Sequence, residues 1–396
     1  MAYTAVQFGA GNIGRGFLAQ LFRESRLEVL FVDVSRQIID AINFRGVYTI
    51  NIVGDDARQI RIDQIRGLYS SDVGGVADAI ASPNTLIVCT AVGASALPQI
   101  APAIAAGLEK RHRARAAPLN VLLCENLHNA AEVLRNAVGM LLPASERDSI
   151  ISETGFVQTV VSRMVPLQTD ADRAIDPLGV RVEAYKRLPV DADAWVGETQ
   201  VSHITGLEAV SPFEAYVERK LFTHNCAHAV LGYLGFAAGH EYGYQALHDS
   251  RIEPLLRAVL DETGRALVSK YGFDPVGHGN HVADLLHRFD NRDLGDTCRR
   301  LARDPLRKLA PGDRIVGAAR CCESQHISPV ALSWAIAAAL RYDDEGDPSA
   351  IQLQQQLHLV GREATLKRVC GILPNEQIAV LIDEAMESAA VGKVFS

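Results

Sequence analysis

Thr4-Ala-Val-Gln-Phe-Gly-Ala-Gly-Asn-Ile-Gly-Arg-Gly16 is the stretch that decides the fold of this 396-residue chain. A short apolar run, Thr4 to Phe8, leads straight into Gly-x-Gly-x-x-Gly. A helical pattern follows from Ile13 to about Arg26, with Phe17, Leu18, Leu21 and Phe22 on its apolar side. Glycine turns are common, but a strand before and a helix after give this one a physical meaning. Gly9 permits the tight turn, Gly11 lets bare backbone approach a pyrophosphate, and Gly14 lets helix and strand pack closely. The helix N-terminus then offers free N–H groups and the positive end of its dipole to phosphates. Phe8, Asn12 and Ile13 complete the predicted dinucleotide contacts of this loop.

Asp33 closes the next strand, Glu28 to Val32, about 20 residues beyond the glycines. A carboxylate there accepts hydrogen bonds from a ribose 2′-hydroxyl and repels a 2′-phosphate, which favours NAD over NADP. Arg36 is the counterweight, because a nearby arginine accommodates that phosphate. The plainer alternative is a glycine turn beside an N-capping aspartate.

Working outward, strand and helix signals alternate. Ser35 to Phe44 reads as a helix, and Val47 to Ile62 as a hairpin inserted in the sheet. Thr85 to Cys89 and Leu119 to Cys124 read as buried strands, with Phe156 to Val161 and Arg181 to Tyr185 extending the sheet. This alternation predicts an α/β, Rossmann-like, mostly parallel sheet covered on both faces. Thr90-Ala91-Val92-Gly93 and Cys124-Glu-Asn126 each follow a strand, where ligands of such sheets bind. The first is expected to flank the cofactor. Asn126 is placed to donate to a substrate oxygen, unless it only closes a turn.

Lys186 to Thr205 keeps no period and reads as a connector. Ser211-Pro-Phe-Glu214 has the form of a helix start, with a Ser cap, Pro at the first position and Glu three residues after the cap. Beyond it the sequence is almost all helix-forming, broken by loops such as Gly277-His-Gly279 and Pro311-Gly312. The expected division is a dinucleotide-binding domain over 1–200 and a mainly α-helical substrate domain over 201–396.

Composition narrows the classes. Hydrophobic residues make up 48% of the chain and charged residues 22%, which suits a globular protein with a sizeable core. A net charge of −8 argues against nucleic acid or an anionic membrane surface as partner. No run of about 20 apolar residues is present, and the N-terminus lacks the layout of a signal peptide. The seven cysteines include no CxxC pair, so free thiols in a reducing cytoplasm are expected, Cys321-Cys322 included. The twelve histidines contain no HExxH, and no metal site is expected.

In the second half, Lys220-Leu-Phe-Thr-His-Asn225-Cys-Ala-His228 reads K-x4-N-x2-H. On an α-helix, Asn225 lies about 140° and His228 about 80° from Lys220, so all three can line one wall of a cleft. The competing reading is a solvated lysine in the charge run Glu218-Arg-Lys220.

These residues together resemble the polyol-specific long-chain dehydrogenases from end to end. The resemblance is carried by Gln7 to Phe17, Thr90-Ala-Val-Gly93, Ile100-Ala-Pro-Ala-Ile104 and Cys124-Glu-Asn126. It continues through Tyr216 to Thr223, Asn225-Cys-Ala-His228 and Pro305-Leu-Arg-Lys-Leu309. It implies a metal-independent enzyme that uses NAD to interconvert mannitol 1-phosphate and fructose 6-phosphate, in a site between the two domains. Three departures stand out: Ser162 where the family has Asp, Lys186-Arg187 where it has Glu-Trp, and Cys226-Ala227 for Thr-Gly.

On this reading Lys220 is the general acid/base. Its ordinary pKa of about 10.4 must be lowered by burial to work near neutrality. Asn126 and Asn225 donate to the developing alkoxide, His228 orients a neighbouring hydroxyl, and His224 packs behind. Arg307 and Lys308 are the candidates for the substrate phosphate, against simple surface ion pairing; Arg314 joins them more weakly. The expected ligand is a sugar or polyol phosphate, and the protein a cytoplasmic monomer or small homo-oligomer. An unphosphorylated polyol or a hexuronate is the alternative substrate. A catalytically inactive NAD-binding regulator is the alternative of another class.

Overall fold

The computed structural model describes residues 3–166, 168, 174–197 and 201–390. The chain divides into two compact units, residues 1–216 and 217–396, with the boundary inside the helix Phe213–Arg219.

The first unit is built on a six-stranded parallel sheet. Its strands are β1 (Thr4–Phe8), β2 (Glu28–Asp33), β5 (Ile65–Tyr69), β6 (Thr85–Thr90), β7 (Leu119–Leu123) and β8 (Thr154–Gln158), in the order β5-β2-β1-β6-β7-β8. All neighbours run parallel. The chain builds outward from β1 to β2 and β5, then returns to lay β6 on the other side of β1. The carboxyl ends of β1 and β6 therefore flank a topological switch point, where the sheet opens a crevice. The two faces have separate cores. Phe17, Leu18, Leu21 and Phe22 of the first helix bury one face, and Ile100, Ala101, Ile104 and Leu134 bury the other. Each such side chain contributes about 1.5–3 kcal/mol by leaving water.

Some sequence expectations need correcting. The hairpin is present, as β3 (Val47–Ile52) and β4 (Arg58–Asp63). It is not inserted in the main sheet. It forms a separate three-stranded sheet with β9 (Val180–Val182), the strand expected to extend the main one. The reason is packing: Tyr48, Ile50, Val180 and Val182 cover the first helix, and a Cβ on Gly16 would lie 2.8 Å from Val180. The supposed connector contains a strand, β10 (Leu188–Asp191), which pairs in parallel with β11 (Leu207–Val210); its residues 198–200 lie outside the described residues. Their short length hid the period. The helix expected from Ser211 starts at Phe213, and the Ser211 hydroxyl donates to Asp193 at 2.8 Å. Gly277-His-Gly279 is no loop but lies in the helix Pro275–Phe289, capped by Asp274.

The second unit is helical. Cys226–Ala237 and Val330–Leu340 are apolar almost all round and buried almost all round, as such helices must be. Glycines let the first pack closely: a Cβ on Gly232 would lie 2.5 Å from the Ala302 nitrogen. The buried Glu262 carboxylate accepts from Ala331 N–H at 2.7 Å and Leu332 N–H at 3.0 Å, capping the second helix from outside.

Candidate active site

One candidate region, in the first unit, is the turn after β1. Gly9 has φ +90°, and a Cβ there would lie 2.3 Å from the Ala91 carbonyl oxygen. A Cβ on Gly14 would lie 2.0 Å from the Gly9 oxygen. Gly11 meets no atom within 4 Å, so its bare backbone faces open space. Sterics thus require glycine at Gly9 and Gly14, while Gly11 leaves main chain open to a ligand. Asp33 braces the loop: one oxygen accepts from Ala10 N–H at 2.6 Å, the other from Ser35 N–H at 2.8 Å. A carboxylate has about four acceptor positions, so capacity remains for a ribose. Arg36 lies over the Tyr69 ring, 5.7 Å from its centroid.

The helix behind this loop begins with a turn wound wider than α, Gly14–Leu18, closed by Ala19 N–H on the Gly14 carbonyl. Its carbonyls find partners elsewhere. The Tyr48 hydroxyl donates to Arg15 O at 2.6 Å, and Arg163 donates to Gly16 O at 3.1 Å. Arg163 also reaches Gln20 at 2.7 Å, and Arg15 donates to Ala10 O at 2.6 Å. The altered stretch Ser162 to Pro166 therefore carries, in Arg163, a brace for the cofactor helix.

Across the switch point, Thr90 to Gly93 leaves β6, with Ala91 N–H on Phe8 O at 2.9 Å and Gly93 at φ +88°. Glu125, not singled out from the sequence, sits beside it. It is 8% exposed, and accepts from the Thr90 hydroxyl at 2.7 Å and Val92 N–H at 3.1 Å. Burial raises its pKa, and these hydrogen bonds work in the other direction. Its place in Cys124-Glu-Asn126 after a predicted strand was the available signal. Asn126 follows it and is exposed.

The other candidate region, in the second unit, is the lysine turn. Lys220–Asn225 is also wound wider than α, with Cys226 N–H on the Leu221 carbonyl five residues back. The 140° separation expected on an α-helix does not hold here, because i→i+5 winding draws residues five apart towards each other. The fully buried Thr223 donates its hydroxyl to Arg219 O. Lys220 is half-buried, and burial pulls its ammonium down to about 8, with the charge of Arg314 adding to the shift. His228 is stacked on Phe289 with centroids 4.0 Å apart, and the buried His224 meets it edge-on at 4.8 Å. Burial pulls His228 down to about 3, helped by Arg288, Arg300, Lys308 and Arg314. It stays neutral, in a field of four cations.

Two of those cations were missed from the sequence, since nothing in the spacing of Arg288 or Arg300 marks them. One expected residue is placed differently. Lys308 is only 4% exposed and turns its ammonium onto the Leu301 carbonyl, so it is not half of an outward-facing pair. Burial, with Arg314 and Arg307 next, lowers it to about 7. Arg307 is exposed and ion-paired with Asp304 at 2.7 Å and Asp313 at 3.5 Å. Arg314 is held by Asp313 at 2.6 Å. All seven cysteines are free and buried, with the Cys89 and Cys124 sulfurs 3.6 Å apart. Among the described residues, no group of three His, Cys, Asp or Glu side chains could hold a metal ion, and no helix is long and apolar enough to cross a membrane.

A parallel sheet with a glycine turn at its switch point, followed in sequence by a helical unit, fits an oxidoreductase of the polyol dehydrogenase class, and the relatives show that class. The comparisons specify it further. Residues 3–202 match the mannitol dehydrogenase Rossmann domain, and residues 212–387 the mannitol dehydrogenase C-terminal domain. The chain belongs to the mannitol dehydrogenase family. It is 40% identical over 380 residues to mannitol-1-phosphate 5-dehydrogenase of Brevibacillus brevis, covering 96% of each chain. It is 36% identical over 379 residues to the enzyme of that name from Bacillus licheniformis, covering 96% of this chain and 98% of the relative. In fold it is similar to Pseudomonas fluorescens mannitol 2-dehydrogenase, solved as a ternary complex with NAD and D-mannitol. That match has a TM-score of 0.75 and 19% identity, covering 100% of this chain and 93% of the other. A substrate-free D-sorbitol dehydrogenase gives a TM-score of 0.79 at 16% identity, covering 100% and 94%.

Proposed function

We propose that this chain interconverts mannitol 1-phosphate and fructose 6-phosphate with NAD, by metal-independent hydride transfer with Lys220 as general acid/base. The observation that carries the chemistry is the lysine ammonium lowered to about 8 by burial, one widened turn away from Asn225 and followed by His228. The substrate is supported by the names of relatives 36–40% identical over nearly the whole chain.

Oxidising a secondary alcohol removes a hydride from carbon and a proton from oxygen. A nicotinamide cofactor, when bound, accepts the hydride. Neutral Lys220 takes the hydroxyl proton. The amides of Asn225 and Asn126 donate to the oxygen as charge develops on it. Neutral His228 holds an adjacent hydroxyl and orients the polyol. In ketose reduction the ammonium of Lys220 returns the proton. Asp33 supports NAD over NADP, since its free acceptor capacity suits hydroxyls and its charge repels a 2′-phosphate. The phosphate is assigned to Arg307, within reach of the Arg314 and Lys308 charges.

One observation favours a second reading. Lys308 is turned inward and Arg307 already holds two carboxylates, so an unphosphorylated polyol or a hexuronate remains a competing substrate. Side-by-side reduction of fructose 6-phosphate, fructose and fructuronate, followed by nicotinamide absorbance, tests the choice. Fructose 6-phosphate is expected to show the highest kcat/KM; a clear preference for either other ketose overturns the assignment. Absence of turnover on all three, with cofactor still bound, leaves the non-catalytic regulator.

A further inference from the structure

We propose that Glu125 is a positioning residue of the cofactor site: its buried carboxylate clamps the Thr90–Gly93 segment at the switch point and so fixes the backbone against which the cofactor rests. The inference depends on the dinucleotide reading of that crevice.

The argument begins with cost. A buried carboxylate is expensive unless it is well paired. Among the described residues its partners are the Thr90 hydroxyl, on the last residue of the neighbouring strand, and the Val92 main-chain N–H just beyond it, with the main chain of Cys124 and Glu125 adding to the hold. A turn that merely left the sheet would need no such group. What the carboxylate supplies is a two-point hold. β6 keeps its ladder as far as Thr90 and Ala91, whose partners are Cys124 N–H and Phe8 O, each at 2.9 Å. Val92 is the first residue beyond the ladder, and its N–H goes to Glu125 at 3.1 Å. Gly93 then turns the chain through φ +88°.

The consequence reaches the glycine turn. The Ala91 carbonyl lies where a Gly9 Cβ would be, 2.3 Å away, so the two loops are in close backbone contact. A loop that slackened at Val92 would also release the wall of the phosphate turn. The clamp therefore acts on cofactor binding rather than on the polyol. Its position next to Asn126 in sequence links both loops to one side chain.

The test uses the full-length protein. Glu125→Leu keeps bulk and removes both acceptors, and is expected to weaken NADH, titrated by fluorescence, about tenfold, as loss of roughly one net hydrogen bond to a charged group implies. The KM for the ketose at saturating cofactor should stay within about twofold, since binding of the two ligands is set by different residues. Glu125→Gln can still accept from Val92 and donate to the Thr90 oxygen, and is expected to recover NADH affinity to within about threefold of wild type. In the cofactor-free protein, the Val92 amide should exchange its hydrogen about tenfold faster in Glu125→Leu than in wild type. Wild-type NADH affinity in Glu125→Leu overturns the proposal, as does an equal loss in Glu125→Leu and Glu125→Gln. Should Glu125→Leu fail to fold, Thr90→Val removes one donor alone: NADH weakened about threefold with unchanged ketose KM supports the clamp, and unchanged NADH affinity overturns it. Wild-type protein that binds no nicotinamide cofactor sinks the underlying reading instead, and the exchange rate of Val92 still reports on the clamp.

Discussion

The helix behind β1 and the helix that carries Lys220 both contain a widened turn, Gly14–Leu18 near the start of one and Lys220–Asn225 in the middle of the other, between Phe213–Arg219 and Cys226–Ala237. In the first, glycines strip the surface to main chain, and what is offered to a ligand is backbone N–H. In the second, the turn itself carries an amine and an amide, Lys220 and Asn225, so its polar groups are side chains. The carbonyls of the two turns are also satisfied differently. Those of Arg15 and Gly16 draw on Tyr48 and Arg163 from elsewhere in the fold, while that of Arg219 is met by Thr223 from its own turn. A backbone site is rigid because its surroundings hold it. A side-chain site is tuned because its surroundings exclude water from it.

That contrast can be broken most sharply at Lys220. Lys220→Ala is expected to lower kcat by about 1,000-fold or more, on the scale of a lost general base, with NADH affinity nearly unchanged. Turnover close to wild type would falsify the role of the lysine. Gly14→Ala should do the reverse. Its Cβ would meet the Gly9 oxygen at 2.0 Å, and cofactor affinity is expected to drop by about 100-fold, as a displaced main-chain phosphate site implies. Calorimetric titration with NADH decides it, and unchanged affinity would show that the turn has room the structure denies.

The pH profile sharpens the tuning. Burial pulls the Lys220 ammonium down to about 8, and the proposed base can take a proton only when neutral. For polyol oxidation, log kcat/KM is expected to rise by about one per pH unit below 8 and level off above it. For ketose reduction, which needs the ammonium, it should be level below 8 and fall above it. His228, lowered to about 3, contributes no limb in between. An oxidation profile flat from pH 6 to 9 would show that another group takes the proton. The smallest effect is expected at the surface. Arg307→Ala should raise KM for fructose 6-phosphate about tenfold and for fructose hardly at all, as the loss of one charged phosphate contact implies. Equal changes would remove Arg307 from the substrate site.

The two regions also differ in how far they could be read from sequence. The glycine turn was legible because sterics permit few residues at φ +90° or against a carbonyl oxygen, so spacing carries the geometry. Asp33 was legible for the same reason, by its distance from the glycines along a strand. At Lys220 the residue types were legible and their state was not, since burial and neighbouring charge come from residues far away in the chain. Arg288, Arg300 and Arg314 reach the lysine turn only through tertiary packing. Lys308 shows the same limit from the other side: two adjacent cations look alike in sequence, yet one turns to Leu301 and one to solvent. Glu125 escaped notice because a glutamate after a strand is ordinary until its burial is known. The separate sheet of β3, β4 and β9 was missed because Val180 pairs with a strand some 130 residues earlier, Ile50 in register.

The widened turn at Lys220 has one more consequence, in the arithmetic of insertions. Such a turn takes up a single surplus residue while the helix on either side keeps its phase. The heavily buried helix Cys226–Ala237 therefore need not rotate to accommodate what happens upstream. The lysine turn is in this sense a splice between two helical segments, the surplus residue being absorbed within it.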